Sequence, residues 1–236
     1  MLKKLFPNKI LSINSEFINN LLIGMLLIVI VGLVYGLFLS PADYIQGDSV
    51  RIMYIHVPAS FIALGLFGII GLVSILNLIF SLKIAPFVGK SLAPIGCVFS
   101  LISIVTGSLW GKPTWGTLWV WDARLTSMFI LFLFYIAYIF TWKMLANNKK
   151  ANIITSTIGI LGLFNIIIVK YSVVWWNTLH QPSSITLTSA PKIHHSMLVP
   201  LIIMLVGLSL YCVIIFLMKY KIELIKLKLK KKSNYD

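Results

Sequence analysis

Six apolar runs, each about the length of a bilayer-spanning helix, constrain this chain more than any other feature. About 20 apolar residues in an α-helix cross the hydrocarbon core of a membrane. The sequence predicts such helices over 18–39, 59–82, 91–109, 125–145, 153–169 and 197–218. In hydrocarbon every backbone N–H and C=O must be paired within a helix or a closed barrel, and runs this long select the helix. The expected fold class is all-α: a polytopic membrane protein with six transmembrane helices, 1–236 forming a single membrane domain. Only 11% of the residues are charged and 59% are hydrophobic, against about 25% and 45–50% in ordinary soluble domains. A water-soluble enzyme is excluded. The fifth run carries Thr155, Ser156, Thr157 and Asn165, so one side of it is expected to face protein. The first run follows Lys3 and Lys4 as a signal peptide would. It ends in Ser40-Pro41-Ala42-Asp43 with no small-x-small cleavage site, and is read as an uncleaved helix.

The net charge of +14 orients these helices. Of 20 cations, 15 fall before helix 1, between helices 2 and 3, between helices 4 and 5, or after helix 6. The other five are Arg51, Lys112, Arg124, Lys170 and Lys192. The positive-inside rule then places both termini in the cytoplasm, or in the matrix of a mitochondrion. The tail, Ile222 to Lys232, is expected to anchor to anionic membrane lipid, and no nucleic acid is needed to explain its lysines.

The opposite face has the longer loops, about 40–58, 110–124 and 170–196, and they hold every His and six of the seven Trp. Between Trp110 and Asp122 the chain reads WGKPTWGTLWVWD, four Trp within twelve residues. An interfacial aromatic belt explains one or two indoles per helix end. Four in one short outer loop, 110–124, point instead to a flat, rigid platform for a planar ligand, and both readings stand at this stage. A short helix over 114–121 would put Trp115 and Trp119 on one face. His56 and His180 each lie at a membrane boundary beside this loop, where paired imidazoles could ligate the iron of a porphyrin. The adjacent His194-His195 competes for that role, although neighbours on a helix point about 100° apart. The chain uses 18 Lys and only two Arg, Arg51 and Arg124, both on the Trp face. A guanidinium fork clamps carboxylates, such as the two propionates of haem. The alternative is that these Arg pair with Asp48 or Asp122.

Absent motifs narrow the chemistry. There is no phosphate-binding GxxxxGK[ST] loop, no HExxH, no Ser/His/Asp arrangement and no paired carboxylates, so binding is expected rather than catalysis. Cys97 and Cys212 sit in apolar runs, and without CxxCH the chain does not attach haem covalently.

The run WGKPTWGTLWVWDARLTS resembles the tryptophan-rich WWD signature of haem-handling proteins of cytochrome c maturation. The flanks IMYIHVPAS and KYSVVWWNTLHQPSS bring the resemblance to the six-helix haem exporter protein C family, from helix 1 to helix 6. That resemblance implies haem b bound as cargo on the outer face, with His56 and His180 as axial iron ligands. It implies Trp115, Trp119, Trp121 and Asp122 at the haem edge, and Arg124 and Arg51 near the propionates. It further implies delivery to a periplasmic haem chaperone (CcmE type), with an ABC-type complex of CcmA, CcmB and CcmD type, in a bacterial inner membrane. An electron-transferring b-type cytochrome is the alternative; such proteins place His pairs inside helices. A solute permease with merely anchoring aromatics is the third reading.

Overall fold

A computed structural model describes residues 10–82, 84–145, 149–181 and 190–232. The predicted cations Lys3, Lys4, Lys9 and Lys83 lie outside the described residues. Six long helices follow in order, with no strand among the described residues. They are α1 (Ser15–Val34), α2 (Met53–Phe80), α3 (Ala85–Trp115), α4 (Ala123–Met144), α5 (Lys149–Trp175) and α6 (His195–Lys232). All six are long and apolar enough to cross a membrane.

The helices outrun the apolar windows that predicted them. Hydropathy falls at the edge of the hydrocarbon, whereas helical hydrogen bonding continues until a cap or a break stops it. Helix α2 begins six residues before the predicted 59, so Pro58 sits inside it rather than in its first turn. A 3-10 turn, Asp48–Ile52, leads directly into α2. Helix α3 starts at Ala85 and runs to Trp115, where Gly116 (φ +81°) caps it in the left-handed region. That cap overturns the expected short helix over 114–121: residues beyond Gly116 turn away, and Trp115 and Trp119 share no helix face. Helix α1 ends in a π-helical turn, Tyr35–Leu39. Helix α6 spans 38 residues, about 57 Å at 1.5 Å per residue, roughly twice the hydrocarbon core.

Helix α2 is central, packing on α3, α5 and α6, while α4 packs on both α3 and α5. Helix α1 packs chiefly against α6. Close approach comes from small residues facing aromatics, as expected where lipid removes the hydrophobic drive between helices. Gly96 of α3 lies against Tyr135 of α4, and Gly162 of α5 against Phe67 of α2. The Tyr135 hydroxyl donates to Ala63 O at 2.7 Å, which ties α4 to α2. The polar side of α5 does face protein. Asn165 donates to Ser127 O at 2.9 Å, and Asn77 of α2 donates to Asn152 Oδ1 and Ser156 Oγ at 2.8 and 3.0 Å. The Asn77 bonds join the inner-predicted ends of α2 and α5, and the Asn165 bond joins α5 to α4 nearer the opposite end.

Candidate functional site

His56 sits in the second turn of α2, facing α3. Its Nδ1 lies 3.0 Å from Ser103 O and 3.1 Å from Thr106 Oγ1. A carbonyl oxygen can only accept, so Nδ1 carries the hydrogen and Nε2 keeps its lone pair. The Thr106 hydroxyl, which donates to Ile102 O at 2.6 Å, accepts from the same imidazole. Gly107 completes the seat: a Cβ there would stand 2.8 Å from His56 Cε1. Trp110 meets the His56 ring edge-on at 5.8 Å and is itself held by donating Nε1–H to Gln46 Oε1 at 2.8 Å.

His180 comes from the segment after α5, more than 120 positions away in sequence, yet its ring centre lies 6.4 Å from that of His56, the planes tilted by 39°. Its Nδ1 is 2.7 Å from Gln181 O, which again puts the hydrogen on Nδ1 and leaves Nε2 free. Burial holds the His180 imidazole below its usual pKa, and the Arg124 charge adds to that effect. In both histidines Nδ1 is anchored to a carbonyl, and among the described residues Nε2 has no hydrogen-bond partner. His194 shows the opposite arrangement. Its Nδ1 accepts from the Ser196 N–H at 3.3 Å, so its hydrogen resides on Nε2. His194 and His195 are both exposed at the start of α6.

Between the two imidazoles and the Trp loop lies a small cavity of about 50 Å³, lined among others by Ser60, Ser103, Gly107, Trp115, Trp119 and Arg124. Trp115 stands 6.3 Å from the His180 ring. Trp119 packs edge-on against Trp121 at 5.4 Å and against Phe129 at 6.2 Å, and its buried indole N–H has no hydrogen-bond partner. Arg124, in the first turn of α4, donates to Val169 O of α5 at 2.7 Å and borders the cavity. Trp121 is 73% exposed. It opens onto a shallow neighbouring hollow of about 400 Å³ with Asp122 and Asn177, Thr178 and Leu179.

Of the predicted residues, the fold thus converges His56, His180, Trp115, Trp119 and Arg124 on one cavity, with Trp121 and Asp122 lining the neighbouring hollow. Arg51 does not line it. Its Nε donates to Asp48 Oδ1 at 2.9 Å and its Nη1 to Leu37 O, so the Asp48 pairing is the one formed. Among the described residues no group of three or more His, Cys, Asp or Glu could chelate a bare ion.

A family model described as Heme exporter protein C matches residues 2–234. The chain belongs to that family. It is 42% identical over 199 residues to Heme exporter protein C of Haemophilus influenzae, covering 83% of this chain and 80% of the relative. It is 36% identical to the Bradyrhizobium diazoefficiens protein of that name, over 93% of this chain and 83% of the relative. A ccmC-like mitochondrial protein of cytochrome c biosynthesis in Marchantia polymorpha is 38% identical, over 84% of each chain. Six spanning helices and bacterial relatives make this family member a multi-pass inner-membrane protein.

Sequence reasoning missed the residues that seat the His56 imidazole. Ser103, Thr106 and Gly107 lie at i, i+3 and i+4 on one face of α3, a small-residue stripe that reads as helix packing. Only the approach of His56 from α2 gives that stripe its role. The interruption of an apolar run by Ser-x-x-Thr-Gly beside the Trp loop was the available signal. His56 lies near the start of α2 rather than mid-helix, because α2 begins at Met53.

Proposed function

We propose that this protein binds haem b as cargo at the Trp end of the bundle, between His56 and His180, and hands it on for c-type cytochrome biogenesis. The observation that carries the proposal is the matched pair of imidazoles, each with Nδ1–H on a carbonyl and Nε2 free, with ring centres 6.4 Å apart. Two metal–imidazole bonds of about 2 Å, plus about 1.2 Å from each nitrogen to its ring centre, give a span of about 6.4 Å. The pair supplies two donors only, which suits an iron whose other four positions are filled by its own macrocycle. Trp115 and Trp119 offer apolar surface to the porphyrin, and Arg124 offers a guanidinium to a propionate. The roughly 50 Å³ between the side chains is far smaller than a porphyrin, so the indoles of the Trp loop move aside as the cargo enters while the two imidazoles keep their spacing.

The Trp end faces the periplasm and both termini face the cytoplasm, in keeping with the lysines clustered at the other end. The open hollow beside Trp121 and Asp122 then faces a periplasmic chaperone of CcmE type, to which haem passes. An ABC-type complex with CcmA, CcmB and CcmD type subunits acts in the same pathway. The chain works as a haem-binding carrier rather than an enzyme. Absorption spectra of the detergent-purified protein test this: wild type is expected to give six-coordinate low-spin haem, and His56→Ala or His180→Ala to lose it. Unchanged spectra in both variants refute the ligand pair.

A further inference from the structure

Asp122 is expected from its place in the Trp-rich run to touch the haem edge, but both of its carboxylate oxygens are engaged by backbone. It is the N-cap of α4, with extended φ/ψ of −85° and 170°. Its Oδ1 accepts from the Leu125 N–H at 2.8 Å, a bond that satisfies one of the orphan donors of the helix start. Its Oδ2 accepts from the Leu179 N–H at 3.2 Å, across 57 positions of sequence. Leu179 is the residue immediately before His180. Among the described residues this is the one hydrogen bond that ties the 177–181 segment to another element. The other bonds of that segment are internal: Thr178 Oγ1 donates to His180 O at 3.3 Å and His180 Nδ1 to Gln181 O at 2.7 Å.

From this geometry we infer that Asp122 is a positioning residue, a clasp that fastens the His180 segment to the start of α4 and so sets the distance between the two imidazoles. The inference rests on the His56–His180 ligand pair proposed above. Its physical basis is simple. His180 lies on a segment outside any helix, where the backbone has no ladder to hold it. A metal site, by contrast, needs its ligand atoms placed to about 0.2 Å. His56 gains that precision from α2 and from its seat on α3, and His180 gains it from a charge-assisted bond one residue away. The same carboxylate fixes the first turn of α4, which carries Arg124. One side chain therefore holds the iron ligand and the guanidinium in register.

Asp122→Asn separates clasp from cap. Asparagine caps a helix as well as aspartate, but with one oxygen it can serve Leu125 or Leu179, not both. Asp122→Ser keeps the cap through a single short hydroxyl that does not reach Leu179, and serves as the second variant. The measurement is haem titration of the full-length purified protein in detergent, followed by absorption and EPR, with and without millimolar imidazole. Both variants are expected to bind haem about 10–100-fold more weakly, the range found when the groups that hydrogen-bond and orient a metal ligand are lost. The residual bound haem is expected to shift from six-coordinate low-spin to high-spin, and added imidazole to restore the low-spin form. Wild-type affinity and spectra in both variants would overturn the clasp. Loss of haem that imidazole does not rescue would also overturn it, since that outcome marks Asp122 as a direct haem contact. A wild-type spectrum identical to that of His180→Ala would instead refute the ligand pair itself.

Discussion

Gly107→Ala adds one methyl group to the wall behind His56, and its consequences can be worked out atom by atom. The new Cβ would stand 2.8 Å from His56 Cε1, 3.3 Å from Nδ1 and 3.8 Å from Nε2. Carbon atoms in contact settle at about 3.5–4.0 Å, so the ring must retreat by about 0.7–1.2 Å. It cannot retreat freely, because Nδ1 is pinned by Ser103 O and Thr106 Oγ1 from the helix that bears the new methyl. A shift of that size exceeds the roughly 0.2 Å tolerance of a metal–ligand distance several-fold. Haem affinity is expected to fall about 10–100-fold, as for other disturbances around a metal ligand. Helix stability moves the other way, since alanine is favoured over glycine within a helix by about 1 kcal/mol. The assay is therefore paired: haem titration by Soret absorbance, and thermal unfolding of the haem-free protein in detergent. The expected result is weaker binding, a loss of low-spin character, and an unfolding temperature no higher than that of wild type, because overpacking costs about 1–3 kcal/mol and offsets the helix gain. Wild-type affinity in Gly107→Ala refutes the claim that α3 seats His56 for ligation.

Thr106→Val removes the hydroxyl beside His56 Nδ1 but leaves Ser103 O in place; a drop in haem affinity of about 3–10-fold is expected, less than for Gly107→Ala, by the same titration. Lowering the pH tests His180. Its imidazole is held below the ordinary value near 6.5 by burial, so protonation competes with iron only at lower pH. Low-spin absorbance is expected to survive as pH falls through 6.5 and to be lost below it. For the same reason the haem-free fold loses stability as pH falls below 6.5, where the unfolded chain takes up the proton first. Loss of the low-spin band centred at 6.5 or above contradicts that environment. Gly96→Ala drives a Cβ into the Tyr135 ring and hydroxyl. It is expected to break the Tyr135 to Ala63 O bond and to cost about 1–3 kcal/mol by overpacking, read as a lower unfolding temperature.

The membrane-spanning core was legible in the sequence. Apolar length and lysine distribution are local properties, and all six predicted spans lie within observed helices to within a few residues. The ends of those helices were less legible. Pro58 lies inside α2, since a proline near a helix start removes few bonds and neighbours in a bundle re-satisfy the rest. The reading of Trp115 and Trp119 as one helix face failed at Gly116, whose left-handed conformation ends α3 between them. The two indoles still border the same cavity, brought there by the chain path after the cap.

By itself the sequence determined six apolar spans, a charge asymmetry between the two loop sets, an indole-rich segment, and a short set of candidate imidazoles and guanidinia. These follow from residue type and near-neighbour spacing, which any fold of the chain must respect. Tertiary structure alone decided which candidates act together. It placed His180 6.4 Å from His56 and set His56 Nδ1 against Ser103 O of α3. It sent Arg124 to the cavity and brought the Leu179 N–H to the Asp122 carboxylate. The physical reason is range. Hydropathy and helix formation are summed over neighbours along the chain, but a ligand site is a matter of tenths of an ångström between residues brought together by packing, and no spacing rule reaches across α2, α3 and the segment after α5.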